Sequence, residues 1–250
     1  LSNLRYESVL HVCNEYRVIM KHALHVKQLS SDLCDALQPI HQLGDNEKEL
    51  LEAAALLHDV GYHISPEQHH KHTYYLIKNC VLPGFTNDET EIIANIARYH
   101  RKSLPKRKHD NFIHLSPQEQ KTVRILSGIL RITEALDRRL IAAVASVKAI
   151  TDKKNITIQL QLQQQDYVPD IEIWGAERRK DLLEQTLDIT LNFQSLPPIN
   201  TYTPMTFVIS RIHLLTKGTI MKHLTITALV ITALLLNSCG EDQQTQQPDT

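Results

Sequence analysis

With 42% hydrophobic and 22% charged side chains in 250 residues, the chain has the composition of an ordinary globular protein and the length to bury a real core. Its formal net charge of -1 excludes a global bias toward polyanions, so affinity for one must come from a local patch. Four scattered cysteines, Cys13, Cys34, Cys80 and Cys239, form no CxxC pair, which argues against a disulfide framework or a zinc ribbon and for a reducing, cytoplasmic compartment.

Histidine is the outlier: of 14, twelve lie between His11 and His114, so the chemistry is expected in the first half. From about Ser8 to Leu37 the apolar positions Val18, Val26, Leu29, Leu33 and Leu37 recur at helical steps, with His22 on the same stripe. A histidine there is either a core residue bonded to a neighbour or a metal ligand. Pro39 and Gly44-Asp45-Asn46 mark a connection. A second helix is expected from Glu47 to about Val60, carrying Leu50, Leu51, Leu57 and His58 inward and stopped by Gly61 as a C-terminal glycine. His58 and Asp59 thus sit side by side at a helix end, where both can turn toward one divalent cation if other helices supply further donors.

The run His69-His70-Lys71-His72 opens a third helix that would direct one or two imidazoles back toward His58-Asp59, and His72, which ends the cluster, is the candidate ligand. Pro83-Gly84 closes this element. Thr86 and Glu89 have the form of a capping box. Beyond it Ile92, Ile93, Ile96 and His100 share one face, so His100 repeats the pattern of His22. Six fixed positive charges fall between Arg98 and His109 with no acid from Ile92 onward, including Arg98, Arg101, Lys102 and Lys106. This is either a solvated loop or a patch that attracts phosphate. The shortage of interleaved aromatics argues against nucleic acid.

Ser116-Pro117-Gln118-Glu119 is a strong helix start. The long helix after it carries Leu126, Leu130, Thr133, Asp137 and Leu140 on one stripe and Glu134 beside it. A carboxylate on a core stripe needs a cation, either a metal or one of Arg131, Arg138 and Arg139. Beyond about Ala149 the period becomes alternating: Ile156 to Leu162, Ile171 with Ile173, and Leu187 to Phe193, the last after a helix from Ala176 to Thr186. The fold class is therefore mainly α, a helical bundle over residues 1–148 followed by a small α+β subdomain over 149–195, with a linker or tail at 196–220.

The order His22, His58-Asp59, His72, His100, then Glu134 or Asp137, each on its own helix, resembles the HD-domain metal-dependent phosphohydrolases. The strings LLEAAALLHDVGYHIS, HHKHTYYLIKN, LPGFTNDE, IARYHRK and LRITEALDRR further resemble the C-terminal region of the Ppx/GppA exopolyphosphatase and guanosine pentaphosphate phosphatase family, over roughly Leu4 to Phe193. The resemblance implies a phosphoanhydride hydrolase with His58, Asp59 and His100 as catalytic residues. It implies a divalent ion, Mg or Mn, held by His22, His58, Asp59, His72, His100 and Glu134 or Asp137. Arg98, Arg101, Lys102 and Lys106 would bind the substrate, inorganic polyphosphate or a guanosine polyphosphate, in a homodimer. Where the HD pattern carries Ala-Asp, this chain has Thr133-Glu134. The family's glycine-rich phosphate loops, which belong to an N-terminal actin-like domain, have no counterpart among the seven glycines. The alternative is a non-catalytic polyphosphate-binding and dimerisation module.

Near the other end Met221-Lys222-His223 precedes an apolar run of 13 residues, Leu224 to Leu236, and then Asn237-Ser238-Cys239-Gly240. This has the form of a lipoprotein signal, too short to cross a bilayer stably. Residues 221–250 are therefore expected to be a joined reading frame outside the native fold, with no stable membrane span.

Overall fold

The structure, a computed structural model, describes residues 3–164 and 166–198. The segment resembling a lipoprotein signal and most of the linker lie outside the described residues. The described residues cluster as one compact unit.

The first expected helix is two: α1 (Asn3–Glu15) and α2 (Met20–His41). The break falls at Arg17, whose φ is +55°. The Val18 amide reaches back to the Cys13 carbonyl at 2.9 Å, the backbone closure that ends a helix on a left-handed residue. α2 in turn runs past Pro39 to His41 and ends on left-handed Gln42, whose N–H bonds the Gln38 carbonyl. Proline is tolerated there because only the last turn loses a hydrogen bond.

α3 (Asp45–Leu57) is the central helix, and every residue from Leu50 to Leu57 is buried. It packs on α2, α1, α5 (Asn87–Arg98) and α7 (Pro117–Leu136). It leads directly into His58, Asp59 and a 3₁₀ turn, Val60–His63. Gly61 lies inside that turn rather than capping the helix in a left-handed conformation. Glycine is required because a Cβ would stand 2.1 Å from the His69 carbonyl oxygen and 2.5 Å from the Thr73 nitrogen. α4 (His69–Asn79) is therefore pressed against the end of α3. The capping boxes of α5 and α7 form as expected: Thr86 and Ser116 Oγ atoms accept from Glu89 and Glu119 amides, and both glutamates accept in return. A short helix α6 (Asp110–Ile113) precedes α7.

The sheet begins at Val144, earlier than the change of period suggested: β1 (Val144–Asp152), β2 (Asn155–Leu162) and β3 (Thr190–Leu196) are in that order. β1 and β2 are antiparallel, β2 and β3 parallel. Ile156, Ile158, Leu160 and Leu162 face inward, as their alternation predicts. The expected strand at Ile171 and Ile173 is instead part of α8 (Asp170–Glu177), and the following helix is short, α9 (Asp181–Leu187). Two alternating isoleucines are too few to define a strand, and acids at Asp170 and Glu172 suit a helix N-terminus. α8 and α9 pack on α7. No helix among the described residues is long and apolar enough to cross a membrane.

Candidate metal centre

Asp59 stands where α3 ends, with φ -107° and ψ 5°, in the bridge region where active-site residues are often found. Four imidazoles from four elements surround its carboxylate. Asp59 Oδ2 lies 3.4 Å from His58 Nε2 and 3.9 Å from His22 Nε2. Oδ1 lies 3.4 Å from His69 Nε2 and 4.0 Å from His100 Nε2. The donors of His22, His58 and Asp59 all lie within 4.8 Å of one another, and so do those of Asp59, His69 and His100. One carboxylate thus serves two adjacent donor sets.

Each ring is oriented from behind through Nδ1. His58 donates to the Ala55 carbonyl at 2.7 Å, His100 to the Ala97 carbonyl at 2.6 Å and His69 to the Pro66 carbonyl at 3.3 Å. His22 donates to Asp137 Oδ2 at 2.8 Å. With Nδ1 carrying the proton, each neutral ring turns an Nε2 lone pair toward Asp59, the tautomer that backing hydrogen bonds select in metal-ligating histidines. His69 and His100 consequently face each other through Nε2 at 3.2 Å, where two lone pairs repel unless a cation lies between them. His58 Nε2 is buried without a hydrogen-bond partner. Both features fit a divalent cation better than a hydrogen-bonded core.

Positive charge placed among these rings stabilises the Asp59 carboxylate. Burial alone would raise the Asp59 carboxyl, but His58, His69 and His100 together hold it well below the usual carboxylate range. Burial pushes the His100 imidazole well down, and His58 adds to this against the opposing pull of Asp59. Burial opposes charge on His22 too, yet the Asp137 hydrogen bond and the Asp59 carboxylate outweigh it and raise its pKa.

Among the candidates read from the sequence, His22, His58, Asp59 and His100 fall in these two sets. His72 does not. His69, one turn earlier on α4, stands in the position assigned to it. The reason is helical phase: His69, Thr73 and Ile77 are buried at four-residue steps, whereas His72 is only half-buried. Asp137 lies behind His22 rather than among the grouped donors, and its second oxygen accepts from the Ala142 amide at 2.8 Å. Glu134 lies outside both sets but lines the cavity above them, with a buried Oε2 that has no partner.

That cavity has a volume of about 700 Å³, and His22, Asp59 and Glu134 contribute to its lining. Four arginines reach it: Arg17, Arg101, Arg138 and Arg179. Burial lowers the Arg179 pKa, Glu134 opposes that change, and the Arg101 and Arg138 charges reinforce it. Of the basic residues proposed from the sequence, Arg101 lines this cavity. Arg98 turns elsewhere, over the rings of Tyr74 and Tyr99, and lines a separate cavity of about 230 Å³ with His70 and His109. Lys102 and Lys106 are exposed, and neither lines the main cavity.

Residues 4–188 match the family model described as Ppx/GppA phosphatase, domain III. The chain belongs to the Ppx/GppA phosphatase family. It is similar to the guanosine-5'-triphosphate,3'-diphosphate pyrophosphatase of Pseudoalteromonas translucida (strain TAC 125), 30% identical over 187 residues that make up 74% of this chain and 36% of the relative. It is also similar to the protein of that name from Vibrio atlanticus (strain LGP32), 29% identical over 137 residues, 55% of this chain and 26% of the relative. The chain thus spans about a third of the length of these curated relatives.

The Ppx/GppA domain III match covers all four histidines, Asp59, Glu134, Asp137 and all four cavity arginines. Three of those arginines were not legible as cavity residues from the sequence. Arg17 lies in the unexpected break between α1 and α2, Arg138 read as a salt-bridge partner for Glu134, and Arg179 belongs to the segment after α8. In this Ppx/GppA chain the α+β segment therefore supplies a wall of the cavity, which no local pattern announces.

Proposed function

We propose that this domain holds two divalent cations, Mg or Mn, on either side of Asp59, and hydrolyses a phosphoanhydride of inorganic polyphosphate or a guanosine polyphosphate. The observation that supports this most is the convergence of four Nε2 atoms on the two oxygens of one carboxylate. His22, His58 and Asp59 would hold one cation; Asp59, His69 and His100 would hold the other.

A bound divalent cation would lower the pKa of a water, polarise a phosphoryl oxygen and neutralise developing charge. The protein's own residues do the rest. Arg101, Arg138 and Arg179 present guanidinium donors to phosphate oxygens, the geometry at which arginine exceeds lysine. Glu134, with Oε2 buried and unpartnered, is the cavity carboxylate available to accept a proton from water or to complete a donor set. Asp137 keeps the His22 lone pair directed at the site by holding the proton on Nδ1.

The test is phosphate release from tripolyphosphate and from a guanosine polyphosphate by the full chain with Mn²⁺, beside Asp59→Asn and His58→Ala. Loss of release in both variants, and on chelation, supports the reading. Activity unchanged in both removes the cluster from the mechanism. The chain's span of about a third of its relatives favours a second reading, a polyphosphate-binding and dimerisation module. It predicts binding that weakens with salt and does not respond to chelator.

A further inference from the structure

The smaller cavity, of about 230 Å³, shares no lining residue with the one above the histidine cluster. His70 and Lys71 come to it from the first turn of α4, Arg98 and Tyr99 from the end of α5, and Ser103 and His109 from the segment before α6. Each of these side chains carries a hydrogen-bond donor group, and no carboxylate is among them.

Much of this donor capacity is not used inside the protein. Among the described residues neither Arg98 nor Lys71 makes an ion pair. The Arg98 guanidinium lies over the Tyr74 and Tyr99 rings at 5.6 and 5.8 Å, and its Nε is buried without a hydrogen-bond partner. The Lys71 ammonium donates to the uncharged Gln68 side chain. Asn111 donates to the Tyr99 hydroxyl at 3.1 Å, which turns the hydroxyl proton to His109 Nδ1 at 2.9 Å; the Lys106 amide donates to the same Nδ1 at 3.3 Å. The ring proton of His109 is therefore on Nε2, which has no partner among the described residues. α4 begins on Gln68 without a side-chain cap, so its electropositive end is open as well. Burial lowers the His109 pKa, and Arg98, Lys108 and Lys106 lower it further with no acid in opposition. The positive field at this cavity is thus not neutralised from within.

We infer that this cavity is a second anion site, which takes one inorganic tetrahedral oxyanion of the orthophosphate type and is separate from the metal centre. Its volume of about 230 Å³ is below the roughly 300–1,000 Å³ of pockets that enclose organic ligands. A lining of donors alone suits an ion with acceptor oxygens on every side and no apolar part. Arginine, with its fork of N–H groups, and lysine, with its compact charge, are the side chains that bind such oxygens best. The inference does not depend on the proposed cation sites.

Calorimetric titration with inorganic phosphate, in the presence of chelator so that no divalent ion can hold it, compares the full chain with Ser103→Asp and Arg138→Gln. Ser103 is exposed, so Ser103→Asp places a carboxylate among the donors without disturbing the core. Arg138, exposed on the other cavity, is the control. The wild-type chain should bind one phosphate, weakened by about tenfold or more in Ser103→Asp and by less than about twofold in Arg138→Gln. No binding by the wild-type chain, binding unchanged in Ser103→Asp, or binding weakened by Arg138→Gln alone overturns the site. Tripolyphosphate is the second probe: if it binds more tightly than phosphate and Ser103→Asp weakens both equally, the cavity holds the end of a longer chain and the single-ion site is overturned.

Discussion

Asp137 accepts the Nδ1 proton of His22 at 2.8 Å while its other oxygen accepts the Ala142 amide. The carboxylate at the C-terminal end of α7 thus fixes the orientation of the His22 ring. Asp137→Asn can keep the Ala142 bond only by turning its amide nitrogen toward His22, which moves the ring proton to Nε2 and removes the lone pair. Loss of such a backing partner commonly costs about 10–100-fold in metal affinity. Mn²⁺ titration should show a loss of that size, with thermal stability little changed.

His69 and His72 separate by phase on α4. His69→Ala removes a donor from the second set and should reduce the Mn²⁺ bound by the chain by one equivalent. His72→Ala should leave both equivalents in place. Atomic absorption after dialysis checks the pair; loss on His72→Ala alone would reverse the assignment.

Gly61 admits no side chain, since its Cβ would meet the His69 carbonyl and Thr73 backbone. Gly61→Ala must push α4 away and unseat His69. Overpacking of this kind costs about 1–3 kcal/mol or more, to be read from urea unfolding, with Mn²⁺ affinity falling in parallel.

Much of the histidine cluster was legible because its histidines interrupt apolar faces. His22 follows the spacing of Val18 and Val26, His100 that of Ile93 and Ile96, and both fold inward with α3 ending at His58-Asp59. His69 was also within reach: counting back from Ile77 by fours gives Thr73 and then His69. The Thr86 and Ser116 capping boxes were readable because the residues that form them are local. What could not be read depends on tertiary contact or on backbone strain. Arg179 reaches the cavity only because α8 and α9 pack on α7, where Gly128 allows Leu183 to approach to 3.0 Å of a would-be Cβ. The α1–α2 break rests on a left-handed arginine that no propensity favours, and α8 followed an alternation only two isoleucines long.

His41, remote from the centre, gives a pH prediction. Its Nε2 donates to the Cys34 carbonyl at 2.9 Å and its Nδ1 accepts the Leu43 amide at 2.9 Å. Burial lowers its pKa, only partly offset by the Cys34 carbonyl. The folded state therefore binds fewer protons than the unfolded one, whose value is about 6.5. The stability it contributes is complete above about pH 6.5 and is lost as pH falls through the folded value. Melting between pH 7.5 and 5.5 should show a larger fall for the wild-type chain than for His41→Gln, which can make both bonds without titrating.

On the proposed reading Asp59 joins two cation sites, and equilibrium dialysis of the full chain against Mn²⁺ counts them. The wild-type chain should bind two equivalents, and Asp59→Asn, folded to the same extent by circular dichroism, should bind fewer than one. No binding by the wild-type chain, or two equivalents retained by Asp59→Asn, would rule out two cation sites sharing this carboxylate.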